Sequence, residues 1–339
     1  MRIVLADPPA FTPPYDDALA AALARAGAEV ELVTSRFRFG EVPHPIGYRR
    51  SELFYPLSSR LFRRSRLRLP LKAVEHPLGL ARLRARPADV VHLQWLAAPE
   101  LDDRLLRLRT PSVFTAHDLL PRRTAHKREL WQRLWRRFDA IVVHSERGAA
   151  TLRELGVEAR VIPHPVFPSS PERVDDGHTV LFFGVIRPYR GLADAIAATR
   201  AVGARLVVAG DPAMAFERVP EVDWRLGYLS EEEVDRAHGE ASVAVFPYRP
   251  ELDQSGALLR ALGAGVPAVV YDVGGLAEPV RRFGVGLVAP AGDVAGLAAA
   301  IAQVLADPEP YRAGAARARA ELTWDASAAA HLALYRELV

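Results

Sequence analysis

The sequence predicts an α/β protein built from two doubly wound parallel sheets. Three observations carry that prediction. Apolar runs of four or five residues alternate with helix-length amphipathic stretches, the pattern of parallel strands joined by helices. The alternation halts at a proline-rich stretch and then starts afresh. The length, 339 residues, suits two cores better than one.

The first unit is expected over residues 1–165. Arg2 to Ala6 reads as a buried strand, Asp16 to Ala26 as a helix stopped by Gly27, and Glu29 to Val33 as the second strand. This β-α-β opening is Rossmann-like. Val90 to Leu93, Ser112 to Ala116, Ala140 to His144 and Ala159 to Ile162 supply further strands, and Leu130 to Phe138 and Glu146 to Leu155 supply helices. Between Tyr48 and Arg86, arginines such as Arg60, Arg63 and Arg64 interleave with Leu57, Leu61 and Phe62. A helix from Ser51 to Arg66 could lie on an anionic membrane, or could pack its leucines inward. Residues 166–177, rich in proline, are the expected linker.

The second unit is expected over residues 178–323. Its strands are Val180 to Phe183, Arg205 to Ala209, Asp223 to Arg225, Ser242 to Phe246, Ala268 to Tyr271 and Gly286 to Val288. Its helices are Leu192 to Ala201, Ser230 to Gly239, Gln254 to Ala264 and Val294 to Leu305. Gly265 and Pro267 stop the helix that Gln254, Ser255 and Gly256 open. Glycine-bearing loops thus leave the carboxyl ends of adjacent strands, one of them running straight into a helix N-terminus. Free N–H groups there bind anions, diphosphates in particular.

Composition narrows the class. Half the residues are hydrophobic and a quarter are charged, as in a globular protein. There is no cysteine, so disulfides and thiolate chemistry are excluded. No apolar run reaches membrane-span length. The N-terminus lacks the apolar core of a signal peptide, so a cytoplasmic protein is expected. The net charge of +3 hides an asymmetry. Residues 1–170 hold 28 Lys plus Arg against 18 Asp plus Glu, and residues 171–339 hold 16 against 23. A basic first half favours a membrane surface, a phosphorylated acceptor or nucleic acid, although arginine on solvated faces gives the same count. No nucleic-acid module is recognisable.

Three blocks in order, Phe183-Gly-Val-Ile-Arg-Pro-Tyr-Arg-Gly191, Gln254-Ser-Gly-Ala-Leu-Leu259 and Asp272-Val-Gly-Gly-Leu-Ala-Glu278, resemble the retaining glycosyltransferases of family 4. The resemblance is strong from Thr179 to Val288 and weaker before Pro165. It implies the GT-B architecture, two Rossmann-like domains facing across a cleft, and a helix over 324–339 that packs back on the first domain. It also implies a nucleotide-diphosphate sugar, of UDP or GDP type, as co-substrate, with no cofactor, and a glycan, lipid-linked or small-molecule acceptor.

The residues carry that chemistry as follows. Arg187 and Arg190, after Gly184, would clamp a diphosphate and stabilise the charge that builds on it as it leaves. Gln254, Ser255, Gly256 and Ala257 would present backbone N–H groups to it, helped by the helix dipole. Leu226 and Tyr228 would line the nucleobase pocket. Arg260 stands where the family has a ribose-binding glutamate, and Leu252, between Glu251 and Asp253, stands where it has another. A guanidinium cannot accept from ribose hydroxyls, so Glu278 could take over, Arg260 could meet a phosphate, or activity could be lost. His117, in Phe114-Thr-Ala-His-Asp-Leu-Leu-Pro121, is implied to face the reacting sugar, with Asp118 beside it; a histidine there can relay protons. His164 reads as a packing residue at the domain junction. The loop Asp7 to Tyr15 carries prolines where relatives carry Gly-Gly, which leaves Phe11 and Tyr15 as candidate acceptor contacts. No metal site is legible: there is no Asp-x-Asp pair and no cluster with ligand spacing. The rivals are a binding protein that kept the fold without turnover, and a phosphorylase or epimerase on the same fold.

Overall fold

The computed structural model describes residues 1–37, 40, 42–61, 68–121, 124–249 and 254–339. The chain divides into two units, Met1–Pro163 with Trp324–Val339, and His164–Thr323.

The first unit runs β1 (Arg2–Asp7), α1 (Pro13–Arg25), β2 (Glu29–Ser35), β3 (Arg49–Phe54), α2 (Ser58–Leu61), α3 (Arg68–Arg84), β4 (Val90–Leu93), α4 (Pro99–Leu105), β5 (Ser112–Thr115), α5 (Arg128–Trp135), β6 (Ala140–Val143), α6 (Glu146–Glu154) and β7 (Arg160–Val161). The second continues with β8 (Thr179–Phe183), a 3₁₀ turn (Pro188–Arg190), α7 (Leu192–Ala201), β9 (Arg205–Gly210), β10 (Val222–Leu226), α8 (Glu231–Glu240), β11 (Val243–Phe246), α9 (Gly256–Gly263), β12 (Ala268–Tyr271), α10 (Ala277–Phe283), β13 (Gly286–Ala289), α11 (Val294–Ala306) and α12 (Glu309–Glu321). The final helix, α13 (Trp324–Leu338), belongs to the first unit.

Each unit holds one parallel sheet. The strand orders are β3-β2-β1-β4-β5-β6-β7 and β10-β9-β8-β11-β12-β13. Strands β4, β5, β8, β11 and β12 are buried along nearly their whole length, because helices cover both faces of a doubly wound sheet. In each sheet the order reverses once, between β1 and β4 and between β8 and β11. At such a reversal the connections leave to opposite faces, and a crevice opens beyond the strands' carboxyl ends. Gly184, Arg187 and Arg190 follow β8 and Ser255 follows β11, at the second reversal.

The expected helix from Ser51 to Arg66 is replaced by strand over residues 51–54. Arg49–Phe54 instead adds an edge strand to β2, with Arg49 opposite Glu31. Glu31 accepts from Arg49 Nη2 at 2.7 Å and from Ser51 Oγ at 2.6 Å, so side-chain charge supports the pairing. The expected arginines Arg63, Arg64 and Arg66 lie outside the described residues, as do Glu251, Leu252 and Asp253. Glu75 of α3 caps α2, accepting from the N–H groups of Leu57 at 2.7 Å and Ser58 at 3.2 Å.

Segment 166–177 carries no regular structure. It is nonetheless tied to the second unit. Phe167 N–H donates to Leu259 O, Ser169 N–H to Gly263 O and Val174 N–H to Gly239 O. Helix α13 docks on α1 and β4 of the first unit. Its fully buried Tyr335 hydroxyl lies 2.6 Å from His92 Nδ1, and Arg25 reaches Asp325 at 2.6 Å.

Candidate functional site

In the second unit, β8 ends on Gly184, whose φ of +111° suits glycine alone. A Cβ there would also stand 2.5 Å from Arg190 Nη1. The chain turns through Arg187 to Arg190 and reaches Gly191, where a Cβ would meet Pro247 O at 1.9 Å. Both glycines therefore let this loop close down against the loop after β11.

The two cations of the loop differ. Arg187 is exposed. Arg190 is half-buried: its Nη1 donates to Phe183 O at 3.2 Å and to the Tyr248 hydroxyl at 2.6 Å, and its guanidinium lies 5.0 Å from the Tyr248 ring centre. Its Nε–H is buried with no acceptor among the described residues. Tyr248, two residues past β11 and 1% exposed, also lies 3.2 Å from Ser255 Oγ.

Ser255 is the N-cap of α9 and accepts from Leu258 N–H. Gln254 Oε1 accepts from Ser255 N–H at 3.0 Å. Among the described residues, the N–H groups of Gly256 and Ala257 carry no hydrogen bond. Gly256 is exposed, and the Ala257 methyl would lie 3.5 Å from a Cβ on Gly184. The structure thus brings together Gly184, Arg190, Ser255, Gly256 and Ala257, with Arg187 at the rim. The Arg190 guanidinium and a helix N-terminus lie side by side, with the exposed Arg187 on the same loop, an arrangement suited to a diphosphate.

The other residues expected to bind a donor are spread along further strand ends. Leu226 closes β10, and Tyr228 follows it, largely exposed. Glu278 sits in the first turn of α10. Arg260 is committed: its Nη1 pairs with Glu231 Oε2 at 2.5 Å, and its guanidinium lies over the Phe167 ring. Glu231 thereby brings a carboxylate to the position where the sequence alone shows only a cation.

In the first unit, β1 ends on Asp7, Gln94 and Trp95 follow β4, and His117 lies two residues past β5. The His117 ring stacks on Trp95 (5.2 Å, 16°) and meets the Tyr15 edge at 4.8 Å. Tyr15 is 2% exposed and packs also on Trp324. It was expected to meet an acceptor; burial makes it a wall for His117 instead. Phe11 does reach solvent, edge-on to Trp95, and Asp118 is half-buried.

Hydrogen-bond logic fixes the His117 tautomer. Ile162 O can only accept, so His144 Nδ1, 2.9 Å away, carries the proton. Burial lowers His144 to about 4, so its Nε2 is a bare acceptor. His117 Nδ1, 3.2 Å from it, must then donate. His117 Nε2 lies 2.9 Å from the Gln94 side-chain amide, which when turned round offers its NH2 to a bare ring nitrogen.

Asp7 anchors the proline loop, its Oδ2 accepting from Phe11 N–H at 2.7 Å and Thr12 N–H at 3.1 Å. Burial raises Asp7 to about 6, and burial followed by the Asp7 charge raises the neighbouring Asp16 well above the carboxylate range. Asp16 keeps the proton and donates it to Asp7. Thr12 Oγ1 accepts from Trp95 Nε1 at 2.9 Å, which ties the loop to the aromatic wall of His117. Among the described residues no group of three or more His, Asp or Glu is placed to hold a metal ion.

Tyr248, Trp95, Gln94, His144 and Glu231 escaped the sequence reading. Position past a strand end was the available signal for Tyr248, Gln94, Trp95 and His144, and Glu231 had none.

Comparison with known proteins follows the same division. Residues 177–307 match the family profile described as glycosyl transferases group 1, and residues 17–169 match glycosyltransferase family 4. No curated protein gave a significant sequence match. Among solved structures, sucrose-phosphate synthase from Thermosynechococcus elongatus is 21% identical with a TM-score of 0.77, over 100% of this chain and 99% of that one. Anabaena Alr3699/HepE in complex with UDP is 16% identical, TM-score 0.69, over 100% of both chains. The catalytic domain of starch synthase IV from Arabidopsis thaliana, bound to ADP and acarbose, is 13% identical, TM-score 0.71, over 99% and 98%. These likenesses establish the GT-B fold.

Proposed function

Since the chain belongs to the group 1, family 4 glycosyltransferases, we propose that it moves a sugar from a nucleotide-diphosphate donor to an acceptor hydroxyl with retention of configuration. The observation that carries the reading is the closeness of Arg190 to the N-terminus of α9, with the exposed Arg187 on the same loop. In the reaction the anomeric C–O bond to the β-phosphate breaks and the acceptor oxygen bonds the same face. The acceptor proton leaves with the diphosphate. Charge grows on the phosphate oxygens as that bond opens, and fixed donors there stabilise it without reorganising. UDP in the Anabaena relative supports a nucleotide donor. The second unit binds the donor, and the first, through Phe11, Asp118 and His117, serves the acceptor. With Glu231 held by Arg260 beside Tyr228, the donor side has a carboxylate that can accept from a ribose.

The test is a thermal-shift screen against UDP-, GDP- and ADP-sugars, followed by NMR of the product anomer. A stabilising sugar nucleotide and a retained anomer support the reading. Stabilisation without any turnover or donor hydrolysis would make the chain a binding protein, and phosphate-dependent turnover would make it a phosphorylase.

We also propose that the first unit docks on an anionic membrane from the cytoplasmic side. Leu57, Leu69, Val74 and Leu78 are exposed along α2 and α3, with Arg60, Arg82 and Arg84 exposed nearby. Apolar side chains flanked by cations suit a headgroup interface. Among the described residues no helix is long and apolar enough to cross a membrane. Flotation with anionic vesicles should carry the protein upward at low salt and release it at high salt. No protein on the vesicles at low salt would point to an acceptor free in solution.

A further inference from the structure

Ser255 caps α9, and the protons around its hydroxyl point to a second role. Arg190 Nη1 can only donate, so at 2.6 Å it gives a proton to the Tyr248 oxygen. Burial raises the Tyr248 phenol, so it stays protonated at neutral pH and has one proton to place. Among the described residues, Ser255 Oγ at 3.2 Å is its acceptor. Ser255 Oγ also accepts from Leu258 N–H at 3.3 Å. Both of its lone pairs are then filled, and its own O–H must point away from Tyr248 and from the helix.

Ser255 is 3% exposed, so that O–H has almost no bulk water to meet. Beside it lies the N-terminus of α9, where the Ala257 methyl stands 3.5 Å from the Cβ position of Gly184. We propose that Tyr248 is a positioning residue that turns the Ser255 hydroxyl into a donor for the diphosphate, and that Ser255 is a direct ligand of that group. The relay runs Arg190 to Tyr248 to Ser255 to phosphate oxygen, each hydroxyl polarised by the donor behind it. One phenol thereby holds the buried guanidinium and orients the cap, so the two halves of the crevice keep a fixed spacing. This inference rests on the donor reading above.

The experiment is a double-mutant cycle on binding. The probe is whichever of UDP, GDP and ADP binds wild type most tightly, with its monophosphate as control. Tyr248→Phe keeps the ring and loses the proton relay. Ser255→Gly loses the hydroxyl, and glycine caps helices nearly as well, so folding is spared. Each single change should weaken diphosphate binding about tenfold, as expected for a lost bond to a charged group. The double variant should fall well short of a hundredfold. Monophosphate binding should change less than twofold. Ser255→Thr, which keeps a hydroxyl, should bind like wild type, and this variant answers even if Tyr248→Phe fails to fold. Unchanged binding in Ser255→Gly, strict additivity, or equal losses for mono- and diphosphate would overturn the relay while leaving the donor reading intact. If wild type binds none of the three diphosphates, the donor reading falls, and the relay with it.

Discussion

At the scale of single residues the site depends on who holds each charge. Arg187 is exposed, whereas Arg190 is clamped beneath Gly184. Arg190→Ala and Arg187→Ala should each cost about 2–4 kcal/mol in kcat/KM, the usual loss for one transition-state donor. Unchanged kcat/KM in both would remove the clamp from the mechanism. Gly184→Ala should do comparable harm without touching a charge. Its Cβ would sit 2.5 Å from Arg190 Nη1, on a backbone that L side chains rarely adopt. A folded Gly184→Ala enzyme with wild-type kinetics would show the Arg190 position to be irrelevant. For His117 the decisive neighbour is His144. Long-range ¹H–¹⁵N spectra should show His117 protonated on Nδ1. His144→Ala should release that tautomer and lower turnover at least tenfold, with a smaller loss for His144→Gln, which keeps an acceptor. An unchanged His117 spectrum in His144→Ala would refute the tautomer lock. Gly184, Arg187, Arg190 and Ser255 were legible because glycines frame strand ends in the sequence. Tyr248 and His144 were not. Each is one aromatic among many, and its importance comes from atoms brought in by residues distant in the chain.

At the scale of elements, most strands of both sheets were legible as short apolar runs, since burial on both faces leaves no other composition. The edge strand β3 was not. Arg49-Arg-Ser-Glu-Leu-Phe54 has charges on both faces, and what pairs it with β2 is Glu31, eighteen residues earlier than Arg49. Helices α3, α4, α10 and α12 were also missed, being short, interrupted by proline, or broken by alanine-rich composition into no clear stripe. The entry to α1 carries its own prediction. Asp16 stays neutral in the fold and becomes ionised on unfolding, so the wild type loses stability as pH rises through the range between the unfolded value and the raised native one. Asp16→Asn copies the neutral form at every pH. Its Tm relative to wild type should therefore climb from pH 4 to pH 8. A constant difference across that range would show that Asp16 is ionised in the native protein.

At the scale of the whole molecule, four buried histidines dominate the acid limb of stability. Burial lowers His144, His238 and His331 to about 4, and lowers His92 as well. Each is neutral when folded and gains a proton when unfolded below about pH 6.5. Stability is then complete above that value and is lost as pH falls towards 4. The Asp7 and Asp16 pair acts in the opposite sense over the same range, but on fewer groups. Carboxylates held low by arginines, Asp103 and Asp223 among them, add to the acid loss. Thermal melts should show Tm falling steadily from pH 7 to pH 4.5. A flat or rising Tm on acidification would contradict the neutral histidines. The placement of α13 bears on something else, the order in which the protein is made. Trp324, His331 and Tyr335 complete the packing around Tyr15 and His92, yet residues 164–323 are translated between the two parts of that core. At ribosomal rates of about 5–20 residues per second the first unit waits on the order of ten to thirty seconds for its last helix. Throughout that interval the nascent chain carries an open groove beside α1, so in the cell the first domain to begin folding is the last to finish.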